Sequence, residues 1–524
     1  QYLADHGMYK FFHWFDYKVW YPLGRPVGTT IYPGMQIASV GIWKALKFLD
    51  PTGRGMSIND VCVFVPVWFG VLASILLGFL ASECSGSWSA GVVAATIMSI
   101  IPAHIMRSVG GGYDNESVAV TAMVLTFFCW CRALRDDPKV KDGKHTVDSV
   151  VWGTAAGFAY IFMVATWGGF IFVLNLIAAH AVILFFLGRY SSKLHRAYSL
   201  FYLIGTIGAI QVPVVGWGPL RSLEQLAGLA VFLAFQILEY VEIQRRKRKL
   251  SMAQVLVLRI KVTLPCFLAV VAAAYVLLPT GYFGPLTARI RGLFVKHTRT
   301  GNPLVDSVAE HQPASAAAYG HYLNIMYDIA PWGLLVAVTN FTDANLFMVS
   351  YGVIAYYFSS KMSRLIILLG PVSSALAGAA LGFVVDQCFV NPVVEMIRSV
   401  VCDSSELEKE NTGDDKTKSP VKEQKAEDGG SASTEAKKVP TSSWKDVGGC
   451  ARTLSSVWNM KTLLLARIAL GAYLTVTYAV PKGTEFLAYC HQMAEGMSGP
   501  SIMFKARLQN GKEIIVDDYR EAYW

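Results

Sequence analysis

The chain has 524 residues, of which 53% are hydrophobic and 16% are charged, and its formal net charge is +9. Soluble domains carry roughly 25% charged residues, so this composition excludes an ordinary soluble protein and predicts a polytopic membrane protein. The positive charge does not indicate a nucleic-acid partner, because the basic residues cluster in short loops between long apolar segments.

The first 60 residues are rich in aromatic residues, glycine and proline, and they contain no apolar run of membrane length. Residues 1–60 are therefore predicted to form a folded loop on the outer side of the membrane, with one or two short interfacial helices. Because the chain starts at Gln1 without a methionine and stops at Trp524 in mid-pattern, we expect an internal fragment of a longer protein.

Apolar segments of membrane length recur from residue 61 onwards and predict an all-α fold with about twelve transmembrane helices. All but the last lie in a transmembrane domain of residues 61–385. The predicted spans are about 61–81, 88–106, 117–134, 148–166, 169–187, 197–213, 223–243, 261–279, 325–340, 345–360, 364–385 and 462–480.

The orientation of these spans is predicted from three basic loops, residues 132–144, 188–196 and 244–261. Counting spans places all three loops on one side, and their excess of Lys and Arg indicates that this side is cytosolic. Loops 107–116 and 280–324 then face the outer compartment, as the first 60 residues do.

The composition changes sharply after the main transmembrane domain. Residues 386–461 are predicted to be a cytosolic loop, and within it 403–440 has the composition of a disordered linker. After the last span, residues 481–524 are predicted to begin an outer soluble domain of mixed α/β structure. The alternation from Lys505 to Asp518 predicts a hairpin that turns at Asn510 and Gly511. Residues after Asp517 resemble the first turns of a helix.

The outer loop 107–116 contains three consecutive glycines followed by Asp114 and Glu116. Glycine allows positive φ and close approach of the backbone to a ligand. Two carboxylates in one loop can bind one hard divalent cation such as Mg²⁺ or Mn²⁺. A solvated loop with ordinary charges is the alternative interpretation.

Two further charged residues lie on the same predicted side. Glu310, in loop 280–324, could complete a cation site with Asp114 and Glu116. Taken alone, Glu310 is interpreted as an ordinary solvated loop residue. Arg364 begins a predicted span at the outer interface. It is either a snorkelling anchor or a phosphate ligand, since guanidinium matches phosphate oxygens.

Several blocks in this order resemble the catalytic subunit of oligosaccharyltransferase. Arg107–Glu116 is similar to the second DXD motif of that family, and Ser307–Pro313 is similar to its SVSE motif, with Ala309 in place of the usual Ser. Trp14–Asp16 and Trp20–Arg25 resemble the family's first-loop signature. Residues 519–524 resemble the segment that precedes the WWDYG motif.

The resemblance implies a metal-dependent glycosyltransferase in the endoplasmic reticulum membrane, with its active site on the luminal side. It would transfer an oligosaccharide from dolichyl diphosphate to asparagine in N-x-S/T sequons of acceptor polypeptides. Glu310 and Arg107 are the implied catalytic residues, and Asp114, Glu116 and Glu310 the implied ligands of Mn²⁺ or Mg²⁺. Arg364 would contact the donor diphosphate. The implied partners are the donor, the acceptor, the lipid bilayer and other oligosaccharyltransferase subunits.

The resemblance also implies parts that lie outside this chain. The family's first span and first DXD aspartate would precede Gln1, and the WWDYG motif would follow Trp524. We therefore expect that these residues alone do not catalyse transfer.

Two other function classes remain as alternatives. A transporter would carry its ionisable residues near the membrane centre, in broken helices of repeated halves, whereas here they lie in outer loops and no repeat is evident. A non-catalytic scaffold paralogue is the other alternative, and the presence of Asp114, Glu116 and Glu310 argues against it.

Overall fold

The computed structural model describes residues 1–50, 55–135, 142–283, 310, 312–397, 463–498, 503–507 and 513–517. These residues are mostly helical. They belong to two compact units, Gln1–Phe383 with Thr484–Trp524, and Val384–Gly483. The predicted linker 403–440 lies outside the described residues.

The N-terminal region contains more regular structure than the predicted one or two short helices. Three helices and a two-stranded antiparallel hairpin form there, because the turn residues between Asp16 and Arg25 fold the chain back so that Phe15 pairs with Pro26. The elements are α1 (Tyr2–Phe12), β1 (Phe15–Asp16), β2 (Arg25–Pro26), α2 (Val27–Thr30) and α3 (Gly34–Leu49).

The larger unit continues as a helical bundle. Its next helices are α4 (Ile58–Ser85), α5 (Trp88–Ile100), α6 (Pro102–Ser108), α7 (Asn115–Ala133), α8 (Asp142–Thr166), α9 (Phe170–Phe186), α10 (Ser192–Ile210), α11 (Gly218–Arg221), α12 (Leu223–Arg248) and α13 (Met252–Leu277). After a gap follow α14 (Ala316–Leu323), α15 (Met326–Thr339), α16 (Asp343–Lys361) and α17 (Ile366–Val385).

Every predicted span overlaps a helix, but fewer helices than twelve have the length and hydropathy of a span. Among the described residues seven qualify, or up to eight if the bent pair α5–α6 counts as one. Helices α9 and α15, with 17 and 14 residues, are shorter than the roughly 20 residues that cross a bilayer. Helices α10 and α16 mix apolar residues with charged residues, serine and tyrosine.

Close packing of helices places the core at the centre of the bundle. A Cβ atom on Gly78 of α4 would lie 2.9 Å from the carbonyl oxygen of Gly91 in α5, so these helices touch backbone to backbone. Most side chains of α7 are buried, including Trp130, whose Nε1 donates a hydrogen bond to Nδ1 of His180 at 3.0 Å. This hydrogen bond pairs two buried polar groups inside the bundle, where lipid could not satisfy them.

A sharp bend separates α5 from α6, the short helix that carries Arg107. The two helices meet at 57°. Ile101, which precedes Pro102, has extended dihedral angles (φ −66°, ψ 131°), because proline disfavours helical geometry in the residue before it. The bend ends the apolar helix and starts a separate short helix that carries Arg107 in its last turn.

The last part of the chain contains α18 (Leu464–Leu474), α19 (Val480–Ser498), β3 (Met503–Arg507) and β4 (Glu513–Asp517). The predicted hairpin pairing is confirmed, since β3 and β4 are antiparallel with Met503 opposite Asp517. The predicted turn at Asn510 and Gly511 and the predicted helix after Asp517 lie outside the described residues.

The smaller unit has a buried arginine of its own. Arg467 of α18 is fully buried, and its Nε donates a hydrogen bond to the carbonyl oxygen of Gln387 at 2.9 Å. Glu395 lies 3.7 Å from its Nη1. Gln387 belongs to a π-helical turn, Asp386–Val390, and the helical chain continues from there to Ile397, beyond the predicted end of the span at 385.

Candidate functional site

The loop between α6 and α7 is held by contacts at both of its sides. The amide of Gly111, a residue with φ of +85°, donates to the carbonyl oxygen of Val63 at 2.9 Å. The hydroxyl of Tyr113 lies 2.8 Å from Oγ of Ser39 in α3, which itself donates to the carbonyl oxygen of Met35. Of the three glycines, Gly111 is the one that uses the conformational freedom expected of the run.

Tyr113 is a neutral anchor for this loop. Burial raises the pKa of its hydroxyl well above the ordinary value, and this outweighs the lowering effect of the hydrogen bond with Ser39. Tyr113 therefore stays protonated at neutral pH and keeps a proton to share with Ser39. Its neighbour Asp114 is placed by this contact.

Asp114 and Glu116 lie at the beginning of α7. Asp114 is the N-cap residue, and its Oδ1 accepts a hydrogen bond from the amide of Glu116 at 3.3 Å. Both negative charges are stabilised by the positive end of the helix dipole. Between them, the side-chain amide of Asn115 donates to the carbonyl oxygen of Thr166 at 2.7 Å.

Arg107 lies at the centre of the site and contacts three carboxylates. Its Nη1 is 3.2 Å from Oδ2 of Asp114, its Nε is 2.9 Å from Oε2 of Glu116, and its Nη2 is 3.1 Å from Oε1 of Glu310. The first and third contacts are hydrogen bonds. Nε and Oε2 are close without forming one, and both are buried.

A second guanidinium, that of Arg364, completes the cluster. Its Nε and Nη2 both donate to Oε1 of Glu116, at 3.1 and 2.7 Å. The Glu116 side chain is 1% exposed, whereas those of Arg364 and Glu310 are 37% and 49% exposed. Three carboxylates and two guanidinium groups leave the cluster with a formal charge of −1.

Main-chain contacts bring Glu310 to the start of the helix that carries Arg364. Oγ of Ser363 donates to the carbonyl oxygen of Glu310 at 3.1 Å, and the amide of Ser363 donates to the carbonyl oxygen of Gln312 at 2.8 Å. The carbonyl groups of Glu310 and Gln312 therefore lie beside the first residue of the 3₁₀ turn Ser363–Leu365.

All five residues singled out in the sequence are brought together: Arg107, Asp114, Glu116, Glu310 and Arg364. That the three carboxylates share a cation stays a prediction. Within the described part of the chain, no three Asp, Glu, His or Cys side chains are grouped as a cation site. The reason is that Arg107 lies between the carboxylates and pairs with each of them.

The sequence analysis did not identify two serines that form hydrogen bonds with residues of the site. Ser39 and Ser363 position Tyr113 and Glu310, and nothing in the local pattern marks Ser39. Ser363 precedes Arg364 at the start of a span, which is a usable signal. The contact between Arg107 and Glu310 joins positions 203 residues apart, so no spacing rule predicts it.

Comparison with known proteins adds an independent observation. A family profile described as "Oligosaccharyl transferase STT3, N-terminal" matches residues 1–377. A dolichyl-diphosphooligosaccharide–protein glycosyltransferase subunit STT3 of Dictyostelium discoideum is 31% identical over 527 residues, covering 100% of this chain and 62% of that protein. The corresponding subunit of Caenorhabditis elegans is 32% identical over 526 residues, covering 99% and 62%. The chain thus spans less than two thirds of these relatives.

Two solved structures have a similar fold. The apo oligosaccharyltransferase of Archaeoglobus fulgidus has a TM-score of 0.59 at 17% identity, covering 75% of this chain and 47% of that one. The archaeal enzyme in complex with an inhibitory peptide and a dolichol-phosphate has a TM-score of 0.53 at 17% identity, covering 74% and 47%. At this identity the similarity concerns the fold alone.

Proposed function

Since the chain belongs to the STT3 family of oligosaccharyl transferases, we propose that it transfers a preassembled oligosaccharide from dolichyl diphosphate to asparagine in N-x-S/T sequons. The observation that carries the proposal is the cluster in which Arg107 contacts Asp114, Glu116 and Glu310, with Arg364 bound to Glu116. A carboxylate can accept hydrogen bonds from an amide, and a guanidinium can donate hydrogen bonds to a diphosphate.

Glu310 is the residue that we assign to the acceptor amide. A carboxamide nitrogen is a poor nucleophile, because its lone pair is delocalised and its pKa is too high for a simple general base at neutral pH. A carboxylate that accepts hydrogen bonds from the amide N–H groups would localise and orient that lone pair. Glu310 suits this role because its side chain is 49% exposed while Arg107 orients it at 3.1 Å.

Arg364 is the residue that we assign to the donor diphosphate. Its Nε and Nη2 are directed at one carboxylate oxygen of Glu116, which orients the guanidinium plane. The side chain remains 37% exposed, so a phosphate can approach it. Guanidinium pairs with phosphate oxygens through two parallel hydrogen bonds.

Asp114, Glu116 and Glu310 would hold a divalent cation. Their oxygen donors suit Mn²⁺ or Mg²⁺. The buried Oε2 of Glu116 lies 2.9 Å from Nε of Arg107 but forms no hydrogen bond. When bound, the cation would neutralise charge on the diphosphate leaving group. Arg107 offsets one of the three negative charges and contacts all three carboxylates.

We further propose that the protein resides in the endoplasmic reticulum membrane with the cluster facing the lumen and about twelve spans in this chain. The support is the excess of basic residues in loops 132–144, 188–196 and 244–261, which favours a cytosolic position. Other oligosaccharyltransferase subunits are proposed partners, by analogy with the relatives' naming as subunits.

The test is an in vitro assay of the full-length protein in a membrane with lipid-linked oligosaccharide, an N-x-T peptide and Mn²⁺. We expect glycopeptide with this peptide and none with a matched Q-x-T peptide. Chelation of divalent cations should stop transfer, and added Mn²⁺ should restore it. A full-length protein that binds both substrates without turnover would support a scaffold role instead.

The transporter alternative predicts a different position for the charged cluster. In this structure Asp114 and Glu116 begin α7, Arg107 ends α6, and Arg364 belongs to a 3₁₀ turn before α17. These are helix ends, whereas coupled transporters carry such residues near the centre of the bilayer. Substrate flux into sealed vesicles without glycopeptide formation would favour the transporter.

A further inference from the structure

The turn between α12 and α13 carries the most concentrated positive charge of the described chain. Five consecutive basic residues, Arg245 to Lys249, are all exposed. Helix α12 ends at Arg248, Lys249 adopts a left-handed conformation with φ of +50°, and Ser251 caps the start of α13. The chain therefore reverses within a few residues, and the five cations lie close together at this turn.

The basic residues of the neighbouring loop are engaged by protein groups. Arg189 pairs with Asp343 at 2.5 Å, Lys193 donates to the carbonyl oxygen of Leu134 at 2.6 Å, and Arg196 donates to Oγ of Ser149 at 3.2 Å. These three cations stabilise contacts between elements of the bundle. Their charges are largely used within the protein.

Most of the cations in the α12–α13 turn have no such partners. Arg245 and Arg246 pair with Glu242 at 3.1 and 3.0 Å, and all three belong to α12. Lys247, Arg248 and Lys249 form no ion pair with any other described residue. Basic residues in a cytosolic loop can serve only to orient the membrane spans, and that role does not need a defined arrangement. In this turn three exposed cations are in addition available to an external anion.

The helices that frame the turn are exposed along their apolar lengths. On α13 the exposed side chains are Leu256, Val257, Ile260, Leu264 and Phe267. In a membrane such side chains face lipid, so the turn lies at the headgroup level beside lipid. Lipid headgroups are therefore the anions that we expect beside Lys247, Arg248 and Lys249.

We propose that Lys247, Arg248 and Lys249 form a binding site for the phosphate groups of anionic membrane lipids. Exposed Arg259 and Lys261 on α13 extend the same positive surface toward the bilayer. Basic clusters next to a transmembrane helix attract anionic headgroups, by roughly fivefold in affinity for each residue. Three residues together should give a preference of about 100-fold over zwitterionic lipid. This inference does not rest on the catalytic proposal.

The test compares the full-length protein in nanodiscs that contain phosphatidylcholine with a minor fraction of phosphatidylglycerol or phosphatidylinositol. Native mass spectrometry measures the anionic lipid retained per protein. The variant Lys247→Gln/Arg248→Gln/Lys249→Asn should lose at least about tenfold of that enrichment. Asn at position 249 tolerates the left-handed conformation. Raising the salt should weaken binding in the parent protein, because salt screens exposed charges.

The matched control removes the same charge from exposed lysines elsewhere, as Lys10→Gln/Lys18→Gln/Lys44→Gln. It should retain the enrichment. An equal loss in the control would show an effect of net charge alone and would overturn the site. A second measurement tests binding of a single-stranded RNA probe to the parent protein and to the triple variant at positions 247–249. If that variant keeps its lipid enrichment but loses RNA binding, the ligand is nucleic acid and the lipid site is overturned.

Discussion

Glu116 is the buried anion on which the two arginines of the site converge. Its side chain is 1% exposed and lies between Arg107 and Arg364, whereas Glu310 contacts Arg107 from a position that is half exposed. Removing one partner of a buried ion pair leaves an uncompensated charge and costs about 3–5 kcal/mol. An exposed pair contributes about 0–1 kcal/mol.

We therefore predict that Glu116→Gln lowers the thermal unfolding temperature clearly, while the isosteric change Glu310→Gln leaves it nearly unchanged. Both changes should reduce glycosyl transfer, by about 10²–10³-fold if each removes a preorganised electrostatic contact. The measurements are thermal unfolding in detergent and the transfer assay. Equal unfolding temperatures for the two variants would contradict the burial argument.

Arg364 gives a prediction about substrate discrimination. Arg364→Ala should raise the donor KM by about 10–100-fold, the range for a hydrogen bond to a charged group, and should affect the acceptor peptide less. Arg364→Lys keeps the charge but loses the planar fork, so it should recover only part of the donor affinity. Equal effects on donor and acceptor would refute the phosphate assignment.

Ser39 gives a prediction about positioning. Ser39→Ala removes the hydroxyl that holds Tyr113 at 2.8 Å, and a displacement of roughly 1 Å at Asp114 can cost about 100-fold in rate. Ser39→Thr, which keeps the hydroxyl, should retain most of the activity. Because one contact is involved, Ser39→Ala/Tyr113→Phe should be no worse than either single change; additive losses would show that the two residues act separately.

At the scale of elements, the site is assembled from the ends of helices and one loop. The bend between α5 and α6 places Arg107, the N-terminus of α7 places Asp114 and Glu116, and the 3₁₀ turn before α17 places Arg364. Helix ends leave main-chain groups unpaired and carry partial charge. Ionisable side chains are therefore accommodated there more readily than along an apolar helix.

Two sequon-like triplets test the assignment of these elements. The first is Asn115-Glu116-Ser117, in which Asn115 begins α7 and its side-chain amide donates to the carbonyl oxygen of Thr166 at 2.7 Å. The second is Asn340-Phe341-Thr342, in which Asn340 follows α15 on the side proposed to be cytosolic. Neither should carry a glycan in the protein isolated from cells. Peptide mass spectrometry is the measurement, with glycopeptides from a known secreted protein as the positive control. A glycan on Asn340 would overturn the proposed topology.

The number of helices that cross the bilayer is a property of the complete chain. Seven or eight described helices qualify as spans by length and hydropathy, against about twelve expected. Helices shorter than the bilayer can still cross it by local thinning or by packing against longer neighbours. Length alone therefore does not decide the count.

Accessibility to an impermeant thiol reagent tests the threading. In sealed vesicles, and with Cys62, Cys266, Cys402 and Cys450 replaced by serine, we predict that Tyr17→Cys and Lys247→Cys react from opposite faces. Both positions are exposed. An uncharged permeant maleimide should label both variants and serves as the control. Labelling of both from the same face would require a different number of spans between them.

From the amino-acid sequence alone one could predict a polytopic membrane protein, the approximate positions of most helices, and the five charged residues that the structure brings together. Long apolar runs must form helices in a bilayer because their main-chain groups have no other partners there. The charged residues of the cluster can be recognised from residue type and order along the chain. They are the DXD-like pair Asp114 and Glu116, Glu310 in its block, and Arg364.

The tertiary structure alone decided which of these charges pair with each other. The sequence contains no sign that Arg107 contacts Glu310 across 203 residues, or that Arg364 takes one oxygen of Glu116 while Arg107 approaches the other. Such contacts depend on the packing of helices that are far apart in the chain, and on distances below 4 Å that no local pattern encodes. For that reason only the structure shows that the three carboxylates are arranged around Arg107.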